Sequence, residues 1–115
     1  MIDFACKSFD LDEIIKCGFG LTKAEHSLLN AALKLGDEYF TTEELSAKTK
    51  LNLSTVQRAV KKMYEQKILE RKQNNLDQGG YVYIYKVIDR QQLRKILIDI
   101  IRKWERRVEA EVSNW

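Results

Sequence analysis

The segment that most constrains this chain is a basic amphipathic stretch over residues 53–64, LSTVQRAVKKMY. Val56, Val60 and Met63 recur at helical spacing, with Ala59 beside them, so the segment predicts a helix with one apolar stripe. The side chains outside the stripe are hydrogen-bonding or cationic: Ser54, Thr55, Gln57, Arg58, Lys61 and Lys62. Two interpretations fit this segment, a DNA-recognition helix and an ordinary solvated surface helix.

The residues that precede the basic stretch favour the first interpretation. Thr41 with Glu44, and Ser54 with Gln57, have the spacing of capping boxes and mark the starts of two successive helices. A short helix over about residues 42–49, a brief turn and a longer basic helix form a helix-turn-helix pattern. The free N–H groups at the start of the second helix suit a DNA phosphate.

A β-hairpin is predicted directly after this pattern. The hydrophobic period changes from helical to alternating, and residues 68–73 and 81–88 are typical of two strands. The turn-rich residues 74–80 between them suit a hairpin tip. A hairpin at this place is the wing of a winged helix. Arg71 and Lys72 on its first strand predict contacts with phosphates or with the minor groove.

Further capping-box patterns begin helices at Asp10, Thr22 and Asp89, whereas residues 1–9 show no period and predict a poorly ordered arm. We therefore expect one domain that is mainly α with a small β-hairpin wing. Its parts are an N-terminal arm (1–9), a winged helix-turn-helix core (10–88) and a long C-terminal helix (89–115).

The C-terminal helix carries an apolar stripe that continues for more than five turns. A small domain has little surface to cover such a stripe, so we predict that a second copy of the chain covers it. The alternative is a helix that folds back on its own domain. The predicted homodimer interface consists of Leu93, Leu97, Ile100, Ile101, Trp104, Val108 and Val112.

The charge distribution is uneven along the chain, although the net charge is only +3. Residues 1–47 hold four lysines against nine acidic residues, and residues 48–115 hold sixteen basic residues against eight acidic ones. A polyanion would therefore meet the second half. No apolar run reaches transmembrane length and no export signal is visible, so we expect a cytoplasmic protein that does not enter a membrane.

Catalytic, metal and cofactor sites have little support. His26 is the only histidine, and Cys6 and Cys17 have no paired ligand motif, so no metal is expected. No nucleophile, base and orienting group form a set, so we predict no enzyme and no cofactor. A redox switch between the two cysteines is a minor alternative to packed thiols.

The predicted order of elements resembles the MarR-type winged-helix regulators and, more closely, the archaeal TrmB-like branch of small regulators. The resemblance covers nearly everything from Asp10 onward and is most specific in residues 54–59, STVQRA, and 79–81, GGY. It implies a homodimeric transcriptional regulator that binds double-stranded DNA. It identifies no small-molecule effector. Residues at matching DNA-facing positions are Ser54, Thr55, Gln57, Arg58 and Lys61, and those at the wing base are Arg71 and Lys72.

Three functions are therefore compared: a sequence-specific regulator, a winged-helix module that binds proteins, and a general chromatin-type DNA-binding protein. The basic, hydrogen-bonding face of residues 53–64 favours DNA binding over protein docking. The predicted DNA contacts are Ser54, Thr55, Gln57, Arg58, Lys61, Lys62, Arg71 and Lys72. Gln57 and Arg58 are the residues expected to reach base edges.

Overall fold

The computed structural model describes all 115 residues and contains five helices and two antiparallel hairpins. The mainly helical class with a hairpin between the last two helices is as predicted. The elements are β1 (Ile2–Phe4), β2 (Lys7–Phe9), α1 (Leu11–Gly18), α2 (Lys23–Lys34), α3 (Thr42–Thr49), α4 (Leu53–Glu65), β3 (Leu69–Asn75), β4 (Tyr81–Val87) and α5 (Arg90–Ser113).

Two compact units make up the chain, one of residues 22–88 and one of residues 1–21 with 89–115. The winged helix-turn-helix core was predicted to begin at Asp10. In the structure α1 packs with α5, and it belongs to the unit of residues 1–21 and 89–115. No helix is long and apolar enough to cross a membrane.

The core of the 22–88 unit lies among α2, α3, α4 and the start of the β3–β4 hairpin. The apolar stripe of α4 is fully inside, as predicted, and Leu28, Leu45 and Ile68 are also buried. Burying one such side chain contributes about 1.5–3 kcal/mol, so this core fixes the orientation of α4. The opposite face of α4 is thereby held toward solvent.

Most helix starts follow their predicted caps, but the cap of α4 does not. Thr22 and Glu25 form a reciprocal capping box, with hydrogen bonds of 2.8 and 3.1 Å. The capping box predicted for Ser54 and Gln57 is wrong. Asn52 is the N-cap, and its side-chain oxygen accepts from the backbone N–H of Ser54 at 2.9 Å. Asparagine caps as well as serine does, so the helix begins at Leu53, two residues earlier than a Ser54 cap would place it, and includes Ser54.

The link from α4 to β3 is a tight left-handed turn at Lys67, whose φ is 65°. The backbone N–H of Ile68 donates to the carbonyl of Met63 at 2.9 Å, and that of Lys67 donates to Tyr64 at 3.0 Å. These two bonds form a Schellman motif, which satisfies the last carbonyls of α4. The chain then enters β3 with Ile68 and Leu69 both buried.

The β3–β4 hairpin is paired from Leu69↔Val87 to Asn75↔Tyr81. The first strand extends two residues further toward the tip than predicted, whereas the second begins at Tyr81 as predicted, so the loop contains only residues 76–80. Phe40 adds a third short segment beside β4, where its backbone exchanges two hydrogen bonds of 2.8 Å with Tyr85.

The other unit contains the β1–β2 hairpin, α1 and α5. Residues 1–9 were expected to form a poorly ordered arm, but they form this hairpin, because three-residue strands are too short to show a period. Gly18 of α1 faces Leu97 and Ile100 of α5. A Cβ at Gly18 would sit 3.0 Å from Leu97 Cδ1, so a larger residue there would require the Leu97 side chain to shift.

Candidate nucleic-acid interface

The solvent face of α4 presents three of the predicted DNA-binding side chains together. Gln57, Arg58 and Lys61 are exposed, and Ser54 is exposed at the start of the helix. With about 3.6 residues per turn, these positions lie opposite the buried stripe. Thr55 is half-buried at the edge of this face. The arrangement offers hydrogen-bond donors and positive charge along one side of a rigid helix.

The turn between α3 and α4 adds basic residues that the sequence did not single out. Lys50 adopts a left-handed conformation with φ of 60°, and Lys48 and Lys50 are both exposed. Ser46 holds the turn in place, because its hydroxyl donates to the carbonyl of Leu51 at 2.6 Å. The available signal was the pair of lysines in the turn that leads to the basic helix.

Lys62 does not join this face, although it was predicted to. Its Nζ donates to Glu25 Oε1 at 2.8 Å, which connects α4 to α2. Burial would raise the pKa of the Glu25 carboxyl, but the hydrogen bonds from Lys62 and the Thr22 backbone, with the charge of Lys62, outweigh it and lower the pKa. Lys62 lies at the flank of α4, so its ammonium group reaches α2 while part of the side chain remains in solvent.

Arg71 lies between two aromatic rings. Its guanidinium carbon is 4.2 Å from the ring centroid of Tyr64 on α4 and 4.2 Å from that of Tyr83 on β4. Both contacts are cation–π contacts, which hold the guanidinium in place while its N–H groups can still donate to a phosphate or a base. Tyr64 and Tyr83 were not predicted as site residues. The alternation of tyrosines along β4 was the sequence signal for Tyr83.

Lys72 points to the opposite side of the hairpin, because successive residues of a strand alternate between faces. Its Nζ is 4.6 Å from the ring centroid of Tyr39, and Lys86 Nζ is 5.2 Å from the same centroid. The Tyr39 hydroxyl donates to Glu70 at 3.1 Å. Burial and the hydrogen bond to the Glu70 carboxylate raise the pKa of Tyr39. The predicted pair of Arg71 and Lys72 is therefore divided between two faces.

The predicted dimer interface on α5 is also divided. Leu93, Leu97 and Ile100 are half-buried, and Leu97 lies against Gly18 of α1. The C-terminal half of the stripe is open, with Trp104 57% and Val112 59% exposed. The N-terminal half of the α5 stripe therefore packs within its own chain, which was the alternative to a dimer interface.

No cluster of three or more His, Cys, Asp or Glu side chains is close enough to hold a metal ion. Cys6 and Cys17 are both exposed free thiols.

Comparison with known proteins gives one family and several relatives. The profile of the DnaD N-terminal domain family matches residues 10–108. A possible transcriptional regulator from Methanosarcina mazei Go1 has a similar structure, with a TM-score of 0.92 and 47% sequence identity, over 100% of this chain and 96% of that chain.

Two further proteins are similar at lower identity. The ST1889 protein from the thermoacidophilic archaeon Sulfolobus tokodaii has a TM-score of 0.68 at 21% identity, over 84% of this chain and 92% of that chain. That likeness shows a shared fold. The uncharacterized protein MJ1503 of Methanocaldococcus jannaschii is 28% identical over 99 residues, which are 86% of this chain and 74% of that protein.

Proposed function

The chain belongs to the DnaD N-terminal domain family, and from that premise we propose that it is a transcriptional regulator that binds specific sites on double-stranded DNA. In this proposal residues 22–88 are a winged helix-turn-helix, α4 is its recognition helix and the β3–β4 hairpin is its wing. The observation that carries the proposal is the exposed set Gln57, Arg58 and Lys61 opposite the buried stripe of α4. The relative from Methanosarcina mazei, a possible transcriptional regulator by name, supports it.

Two side chains of α4 would contact the edges of the bases. Glutamine pairs with adenine and arginine with guanine in the major groove, so Gln57 and Arg58 would select the sequence. The start of α4 and the exposed Lys50 would hold backbone phosphates on one side of the groove. Arg71, already oriented by its two tyrosines, would hold a phosphate from the wing.

The regulator acts as a homodimer in this proposal. One recognition helix reads only a few base pairs, whereas two helices related by a twofold axis read two half-sites roughly 34–36 Å apart. The open part of α5, from Ile101 through Trp104 and Val108 to Val112, is the proposed contact. Leu93, Leu97 and Ile100 would pack within their own chain and hold α5 in place for this contact.

We also propose that the protein acts in the cytoplasm, where the DNA is, and that it catalyses no reaction. Assignment to the MarR-type or TrmB-like regulators stays a prediction. A protein-docking winged helix is the second candidate, and the unpaired basic face of α4 argues against it, since docking surfaces are poor in exposed charge at their centre.

Selection of bound fragments from a random duplex library tests the proposal. A recovered motif with twofold symmetry is the expected result, and Arg58→Ala should lose the preference at one base pair of each half-site. Recovery of DNA without any motif would favour a chromatin-type protein. Failure to retain any DNA would contradict the proposal and favour the docking module.

A further inference from the structure

Two exposed tyrosines lie side by side near the tip of the β3–β4 hairpin. Tyr81 is 51% exposed and Tyr83 is 36% exposed, and they share one face of β4 because they are two residues apart. Their ring centroids are 5.3 Å apart and their planes meet at 66°. The proposed readout by α4 uses neither ring.

The same face continues inward as an ordered series of planar groups. Tyr83 stacks on the Arg71 guanidinium, and Arg71 in turn stacks on Tyr64. Residues on the neighbouring strand provide amides, since Gln73 pairs with Tyr83 and Asn75 with Tyr81. The two amides are joined by a hydrogen bond of 3.2 Å from Gln73 Nε2 to Asn75 Oδ1. Arg71 is the one charged side chain that the two strands place on this face.

We propose that this face, formed by Tyr81, Tyr83, Arg71, Gln73 and Asn75, binds two unpaired bases of single-stranded DNA. Aromatic rings beside a cation are the common means of holding single strands, because every base has a π-face. The guanidinium of Arg71 would meet the phosphate between the two bases, and the amides would contact base edges.

The arrangement of the rings favours an unpaired strand over a duplex. Bases in duplex DNA are stacked about 3.4 Å apart along each strand, and their faces are covered by their neighbours. The planes of the Tyr81 and Tyr83 rings meet at 66°, so the two rings cannot both stack on neighbouring bases that remain parallel, and they fit bases that have separated from each other. An unstacked strand therefore gains more from these rings than a duplex does.

Fluorescence anisotropy with a labelled oligothymidylate of about twelve nucleotides tests this site, because single-strand sites span roughly 4–16 nucleotides. The full chain should bind it, and Tyr81→Ala with Tyr83→Ala should weaken binding by roughly tenfold for each ring removed. Tyr81→Phe with Tyr83→Phe keeps both rings and should bind like the parent. The single variant Tyr81→Ala leaves the contact between Tyr83 and Arg71 in place, so its binding to a blunt duplex should change by less than about twofold.

Several results would overturn the assignment. These are no binding of oligothymidylate by the parent chain, binding by the double alanine variant as tight as by the parent, or a loss of duplex binding in Tyr81→Ala as large as its loss of oligothymidylate binding, which would make this ring a duplex contact. Tighter binding of oligouridylate would replace DNA with RNA as the ligand. If the double alanine variant does not fold, the single variant Tyr81→Ala removes only the more exposed ring. Photocrosslinking of 5-iodouracil oligonucleotides should in addition mark Tyr81 or Tyr83.

Because Arg58→Ala leaves these rings intact, it should relax the duplex preference at one base pair and leave oligothymidylate binding unchanged. Failure of the duplex-binding proposal and failure of the single-strand site therefore give different results.

Discussion

The Nζ of Lys62 lies 2.8 Å from Oε1 of Glu25, and this ion pair connects the last turn of α4 to the first turn of α2. The side chain of Glu25 is 15% exposed and that of Lys62 is 38% exposed. The Glu25 carboxylate also accepts a hydrogen bond from the backbone N–H of Thr22. The same side chain therefore caps α2 and forms an ion pair with α4. Two adjacent lysines of α4 therefore have different roles, since Lys61 is directed to solvent.

This difference can be measured by comparing Lys62→Ala with Lys61→Ala. Lys62→Ala should lower the free energy of unfolding by about 1 kcal/mol, a value reduced for the partial exposure of the pair. Lys61→Ala should change stability by less than about 0.5 kcal/mol. It should instead weaken duplex binding and reduce the salt slope by about 1. Urea unfolding and DNA titrations at several salt concentrations give both quantities. The opposite pattern, with Lys62→Ala affecting only DNA binding, would contradict this division of roles.

The same ion pair predicts a pH dependence of stability. Although burial raises the pKa of the Glu25 carboxyl, its bonds to Lys62 and Thr22 lower it below the ordinary value of 4.5. A depressed pKa stabilises the fold at pH above the unfolded value, and this contribution is lost as the pH falls through the folded pKa. The stability difference between the parent chain and Lys62→Ala should therefore be constant near neutral pH and shrink below pH 4.5.

Urea unfolding of both chains across this acidic range measures that difference, and the other carboxylates cancel because both chains contain them. Glu25→Gln is the matched control, since it removes the titrating group. A gap between the parent chain and Lys62→Ala that stays the same well below pH 4.5 would show that Glu25 is not its source.

Local features of this molecule could be predicted from its sequence better than its long-range contacts could. The spacing of Val56, Val60 and Met63 was sufficient to identify the buried side of α4, because helical period and burial are directly linked. The partner of Lys62 could not be predicted, since Glu25 is thirty-seven residues away in the chain and is brought close only by packing. Asn52 and Ser54 are both residue types that cap helices well, and they lie two residues apart. The sequence pattern did not show that Asn52 is the N-cap of α4.

The hairpin shows the same limit in another form. Alternation predicted its strands, but Arg71 and Lys72 were treated as one basic patch. The register places them on opposite faces, where Arg71 meets Tyr64 and Lys72 meets Tyr39. Neither aromatic contact follows from composition, because each depends on the position of the hairpin beside α4 and the Phe40 segment.

Arg58 should contribute to sequence preference more than to general affinity. Arg58→Ala should cost roughly 1–3 kcal/mol on the preferred site and relax the preference at one base pair. Arg58→Lys is a useful control, because it keeps the charge but loses the bidentate fork that guanine requires. Competition titrations with single-base variants of the site measure both effects. A uniform loss on every sequence would make Arg58 a phosphate contact.

The assembly proposal depends on the open half of α5, where Trp104 is 57% exposed and Val108 is 41% exposed in the single chain. A large aromatic side chain at the centre of an interface commonly contributes much of its energy. If Trp104 becomes fully buried in a dimer, Trp104→Ala should cost on the order of 3–5 kcal/mol of dimer stability. Because neither residue is buried in one chain, Trp104→Ala with Val108→Asp should leave the fold intact.

Sedimentation of the parent chain and the double variant, each paired with binding to a palindromic site, tests this proposal. The parent should sediment as a dimer and the variant as a folded monomer with much weaker binding. Lys103→Ala, on the same helix but outside the stripe, is the control and should remain dimeric. Both substitutions lie in the open half of the α5 stripe, so they leave the packing of Leu97 on Gly18 within the chain intact. A parent that sediments as a monomer at micromolar concentration, or a double variant that stays dimeric and binds equally well, would remove α5 as the dimer contact.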